Sequence, residues 1–158
     1  MYAIGYDIGS SSVKASIVKI DSGHVVAIGK YPESEMRMEA KHPGWAEQDP
    51  EMWWYCICML TKSLLSEYKI EAGKILSIGI GYQMHGLVLV DKDYKVVRPS
   101  IIWCDSRANE IGDAALKDLG TDYCLGHLLN SPGNFTASKL NWVKENEPEI
   151  FAKTYKWM

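Results

Sequence analysis

The chain has 158 residues, 47% hydrophobic and 23% charged, with 17 Lys and Arg against 20 Asp and Glu for a net charge of −3. That length predicts one hydrophobic core, a single domain or part of one; the balance excludes disordered and collagen-like classes and gives no basic face for nucleic acid. No stretch approaches the roughly 18 uninterrupted apolar residues of a membrane span, and the sequence opens on a strand instead of a basic-then-apolar leader, so the expected compartment is the cytoplasm.

The first strand, Tyr2 to Asp7, runs into Asp7-Ile8-Gly9-Ser10-Ser11-Ser12-Val13-Lys14. A phosphate needs several backbone N–H groups converging on one concavity, and Gly9 lets the main chain come close. Ser10, Ser11 and Ser12 add short donors, Lys14 adds positive charge, and Asp7 can hold Mg²⁺ directly or through water. The segment lacks the Gly-x-x-x-x-Gly-Lys-Ser/Thr pattern of a P-loop, and Val13 to Ile20 is rich in β-branched residues, so the turn belongs to a β-hairpin. A hairpin loop with no ligand has the same local composition, and other segments must decide between the two.

Val25 to Tyr31 completes a three-stranded meander after the turn Asp21-Ser22-Gly23-His24. A polar loop, Pro32 to Gln48, leads to Asp49-Pro50, an N-cap followed by a proline suited to the first helical position, and a helix from Pro50 to Tyr68. Trp53, Ile57, Leu60, Leu64 and Tyr68 share one face of it and are expected in the core. Ile75 to Tyr82 is a nearly continuous apolar run, predicted as a strand buried on both faces. It ends at Gln83-Met84-His85-Gly86, which puts His85 at a strand end. An imidazole there can donate to or accept from a sugar hydroxyl, with Met84 as an apolar wall; alone, His85 reads sooner as a satisfied core histidine, and the flanking Gln83 and Gly86 reverse that order.

Leu87 to Asp91 and Tyr94 to Arg98 predict a hairpin around Lys92-Asp93, and Ser100 to Cys104 a further strand. Ser106 is expected to cap a helix through Leu119, with Gly120 as its stop; a short helix follows around Asp122 to Leu129. After the loop Asn130-Ser131-Pro132-Gly133-Asn134, Thr136 is expected to cap a helix carrying Leu140 and Val143, and Pro148 opens a short one through Ala152. Tyr155-Lys156-Trp157-Met158 reads as the start of another strand, as in an interrupted domain. Cys56, Cys58, Cys104 and Cys124 lack C-x-x-C spacing and are expected to be buried free thiols.

Three segments carry more than fold: Gly44-Trp45-Ala46-Glu47-Gln48-Asp49-Pro50 with Trp53-Trp54, then Gln83 to Gly86, then Pro99-Ser100-Ile101-Ile102-Trp103-Cys104-Asp105-Ser106-Arg107. With the opening hairpin, they resemble the FGGY carbohydrate kinases, in particular their xylulokinase branch, from Tyr2 to the last residue. The resemblance implies an α/β fold: an actin-like ATPase (ribonuclease H-like) half-domain, a mixed sheet with a hairpin meander and flanking helices, incomplete at the C-terminus. Residues 1–158 would be the N-terminal part of the first kinase domain, with the rest of it and the second domain absent.

The resemblance also implies an ATP- and Mg²⁺-dependent phosphotransferase that converts D-xylulose to its 5-phosphate. Asp7, the catalytic and metal-holding carboxylate, would act with Gly9, Ser10, Ser11, Ser12 and Lys14 on the phosphates; Met84 and His85 would contact the ketose, with Trp103 and Asp105 also on the substrate side. Asp105-Ser106 is equally consistent with a helix cap, and Arg107 with a surface ion pair. The family's general-base aspartate would lie downstream, leaving these 158 residues inactive alone. The implied partner is a small sugar, without nucleic acid or membrane, and a homodimer is a family-level expectation. The competing class is a non-catalytic sugar- or anion-binding module of the same fold.

Overall fold

In the computed structural model, which describes residues 1–158, the opening segment folds as the expected meander. Strands β1 (Tyr2–Ile8), β2 (Val13–Lys19) and β3 (Val25–Tyr31) are successive antiparallel neighbours, with Asp7 opposite Lys14. Because side chains alternate along a strand, Ile4, Tyr6, Val13, Ala15, Ile17 and Ala27 share one buried face while Asp7 and Lys14 stand on the other.

Helix α1 (Pro50–Glu67) covers that buried face with Cys56, Leu60 and Leu64. Each leucine contributes about 1.5–3 kcal/mol by leaving water. Gly29 permits the approach, since a Cβ there would stand 3.0 Å from a Leu64 methyl and 3.1 Å from one of Leu60. Tyr6 and Thr61 hydroxyls share a 2.6 Å hydrogen bond across the same contact. Trp53 and Ile57 pack at the margin, and Tyr68, expected in the core, is exposed because it lies past the helix end.

β5 (Ile75–Tyr82) runs parallel to β1 and makes the sheet mixed, in the order β3-β2-β1-β5. Expected to be buried on both faces, it is instead an edge strand. Ile78, Ile80 and Tyr82 align with Ile4, Tyr6 and Ile8, yet remain 61–75% exposed, since the buried side chains of α1 lie over the other three strands.

These elements form one compact unit, Met1–Arg37 with Glu51–Gln83; Met38–Pro50 and Met84–Met158 form a second. In the second, β4 (Glu47–Gln48) pairs with β7 (Ser100–Ile101), and β6 (Leu89–Val90) with β8 (Lys156–Trp157), all antiparallel. Helices α2 (Asn109–Leu119), α3 (Thr121–Leu128), α4 (Thr136–Asn146) and α5 (Pro148–Lys153) complete it. Leu87, Leu89, Ile101 and Val143 are its apolar centre, flanked by Leu140, Trp142, Ile150 and Phe151.

Three local expectations change here. Tyr94 to Arg98 forms no strand, only a Val90–Val96 bridge: the Asp91 carboxylate takes the Asp93 and Lys95 amides at 2.9 and 3.0 Å, and β6 pairs instead with β8. Ser106 does not cap α2; its hydroxyl donates to the Gly44 carbonyl at 3.1 Å, and Ala108 precedes the helix. Thr136 likewise lies inside α4, whose preceding residue is Phe135, and donates to the Gly86 carbonyl at 2.9 Å. Of the four free thiols, Cys56 and Cys124 are buried and Cys58 is half-buried, whereas Cys104, on the loop after β7, is exposed. Burial pushes the Cys56 thiol above its ordinary pKa. No helix is long and apolar enough to cross a membrane.

Candidate functional site

The β1–β2 hairpin of the first unit carries the candidate phosphate residues. The Gly9 amide donates to the Ser12 carbonyl at 3.1 Å and closes the turn; a Cβ on Gly9 would stand 3.2 Å from that same oxygen, tighter than ordinary contact. The Ser11 carbonyl accepts from the Met36 amide at 2.8 Å, which ties the turn to the following loop. Asp7 faces away from α1, 3.4 Å from the Lys14 ammonium, and both side chains are more than 60% exposed. Such an exposed pair contributes about 0.2–1 kcal/mol, so either partner can turn to a ligand at little cost.

Beside Asp7 on that face stand Ala3 and Gly5 of β1 and, in the parallel register, Ser77, Gly79 and Gly81 of β5. Apart from Asp7 itself, these β1 and β5 positions carry no side chain larger than serine. A Cβ on Gly79 would meet nothing within 4 Å. Nowhere in the chain do three or more His, Cys, Asp or Glu side chains stand together as a metal cluster.

In the second unit the cluster begins at Met84, which is 67% exposed, and His85, whose φ of 63° is left-handed backbone that costs a non-glycine residue about 1–3 kcal/mol. The His85 ring stacks on Phe135, with centroids 4.7 Å apart and planes 29° apart. Asn134 Nδ2 donates to the Trp103 carbonyl at 2.6 Å, which joins the loop after β7 to the turn before α4. Half-exposed Trp103 is thereby in the same cluster as His85.

Beneath them lies Lys139. Its side chain is fully buried, and Nζ donates to the His85 carbonyl at 2.7 Å, the Asn134 carbonyl at 3.1 Å and Asn134 Oδ1 at 2.9 Å. Burial pushes its pKa down to about 8, against the pull of the Asp105 charge. Sequence reasoning passed over this lysine. The signal was present in the four-residue steps Phe135, Lys139, Val143, which put a cation on the apolar stripe of α4.

Asp105 is also buried, and its oxygens accept from the Ala46 amide at 2.5 Å, the Arg107 amide at 2.9 Å, and Arg107 Nε and Nη2 at 2.9 and 2.7 Å. Arg107, for which a surface ion pair is one of two readings of the sequence, is 1% exposed: it lies over the Trp45 ring at 3.8 Å and reaches Glu47 at 2.8 Å. Glu47 is also hydrogen-bonded by Arg98, which pairs with Glu147 at 3.2 Å. Burial lowers the Arg98 pKa, with Glu147 and Glu47 opposing. This buried lattice of charges fixes the loop that carries Trp103. Asp105 thus presents no carboxylate edge to solvent.

The model of the FGGY family of carbohydrate kinases, N-terminal domain, matches residues 2–158. The xylulose kinase of Escherichia coli K12 is 39% identical over 149 residues, 94% of this chain and 29% of that protein. Among solved structures, a xyloylose kinase from Brucella ovis superposes with a TM-score of 0.88 at 33% identity, over 100% of this chain and 32% of that one. A gluconate kinase from Lactobacillus acidophilus gives 0.81 at 26% identity, over 99% and 31%. The chain therefore spans about 30% of the length of the relatives it matches.

Proposed function

The chain belongs to the FGGY family of carbohydrate kinases, and on that premise we propose that it is the N-terminal part of the first domain of an ATP- and Mg²⁺-dependent kinase phosphorylating D-xylulose to its 5-phosphate. The observation that carries the sugar assignment is the Met84–His85 turn: an exposed thioether, and an imidazole held against Phe135 in left-handed backbone. Together they offer an apolar wall and a hydrogen-bonding edge, the two elements that orient a polyhydroxylated ligand. Trp103 borders the same cluster. Asp105, saturated by Arg107 and Ala46, serves by holding that loop in place.

On the nucleotide side, the reading assigns phosphate contact to Gly9, Ser10, Ser11, Ser12 and Lys14. Asp7 would hold Mg²⁺, directly or through water, and the ion would offset the charge of the phosphates. Catalysis of this kind is positioning plus electrostatic stabilisation of the moving phosphoryl group. The general base belongs to the remaining length of the kinase, and loss of such a group alone costs about 10²–10⁴ in rate.

Two measurements on the 158-residue chain test this. Saturation-transfer NMR should show D-xylulose binding that perturbs the Met84 methyl and His85 ring signals, with weaker effects from D-gluconate and glycerol. A coupled assay should find no xylulose-dependent ADP release. Preference for D-gluconate would reassign the sugar; turnover at an ordinary kinase rate would overturn the division of labour between this segment and the rest.

A further inference from the structure

We propose that Lys139 is a positioning residue for sugar recognition: its buried ammonium holds the His85 carbonyl and both acceptors of Asn134, and so fixes the Met84–His85 turn and the Phe135 ring against which His85 stacks. The sugar part of this statement rests on the function proposed above.

A buried ammonium needs all three of its N–H groups satisfied, and here the acceptors come from two different segments. One bond goes to the His85 carbonyl, on the turn after β5; two go to Asn134, in the turn before α4. Asn134 passes the constraint on to the Trp103 carbonyl, and Thr136 adds a bond to the Gly86 carbonyl. His85 occupies left-handed backbone without the freedom of glycine, a conformation that persists only where its surroundings over-determine it. Lys139 supplies that over-determination through the His85 carbonyl itself. An apolar residue of equal length would fill the space and leave these acceptors without a donor. The cation thus acts through the turn and does not touch the ligand.

The test compares the 158-residue chain with Lys139→Met and with Lys139→Gln, which keeps two N–H donors. Backbone carbon shifts of His85 report its φ directly, and saturation-transfer NMR gives the D-xylulose affinity. Lys139→Met, folded by circular dichroism, should shift or broaden the His85 and Gly86 resonances and weaken D-xylulose at least tenfold, with Lys139→Gln intermediate. Unchanged His85 shifts and an affinity within twofold in a folded variant would overturn the proposal. So would failure of both variants to fold, because Lys139 would then support the whole unit and not the turn. If the parent chain itself binds no D-xylulose, the sugar assignment fails, while the His85 shifts still decide whether Lys139 positions the turn.

Discussion

Buried charge sets the most sensitive positions of the second unit. Glu47 receives Arg98 and Arg107 almost out of contact with water, so Glu47→Ala leaves two guanidiniums buried without their shared carboxylate; the expected loss is about 3–5 kcal/mol, read from the urea midpoint. Lys14→Ala removes only an exposed pair with Asp7 and should cost less than about 1 kcal/mol. Lys139 adds a pH dependence of definite sign. Its folded pKa, about 8, lies below the ordinary 10.5, so between these values the unfolded chain holds more protons and stability rises with pH. Relative to Lys139→Met, which has no such group, the chain should gain up to about 3 kcal/mol from pH 7.5 to pH 10.5. A difference that stays flat across urea titrations at those two pH values contradicts the lowered pKa.

At the scale of the elements, two glycines make a paired experiment. A Cβ at Gly112 in α2 would collide with the backbone of Gly133 and Pro132, so Gly112→Ala should cost at least about 1–3 kcal/mol; Gly126 in α3 has nothing within 4 Å, and Gly126→Ala should gain about 0.5–1 kcal/mol. Differential scanning calorimetry of the two variants reads both signs. The strands of the meander, α1 and the order of the later helices were legible in the sequence because period-2 and period-3.6 patterns, Asp49-Pro50 and Gly120 are local signals. The two-residue pairings β4–β7 and β6–β8 were not, since a ladder that short carries no period of its own. The burial of β5 was misread for a related reason: an apolar run specifies a strand that wants cover on both faces, and says nothing of how far α1 reaches. In the site, the hairpin residues and Met84-His85 stood out as motifs. Glu47 and Arg107 lie in segments that stood out too, but their pairing with each other and with Arg98 did not, because these partners are separated by about fifty residues or more and only the fold brings them together.

For the whole molecule, the open edge of the four-stranded sheet is where association is expected. Ile75–Tyr82 contains no charge and no proline, and presents Ile78, Ile80 and Tyr82 to water along an unpaired strand, a template for association with other chains. Sedimentation velocity on the 158-residue chain should show concentration-dependent association, suppressed when Ile78→Lys and Ile80→Lys are combined. If the double variant associates like the parent, another surface is responsible. The closing of β6 by β8 has a different consequence, one of timing. The first unit is complete once Gln83 has been made, but Leu89 and Val90, which meet Val97 and Val96 early, cannot form their ladder with β8 until Lys156 and Trp157 arrive. At about 5–20 residues per second, the 74 residues from Met84 to Trp157 take roughly 4–15 s to synthesise. On the ribosome, then, the nascent chain carries a finished sheet and an apolar strand still waiting for its partner, and that interval is when a chaperone would find it.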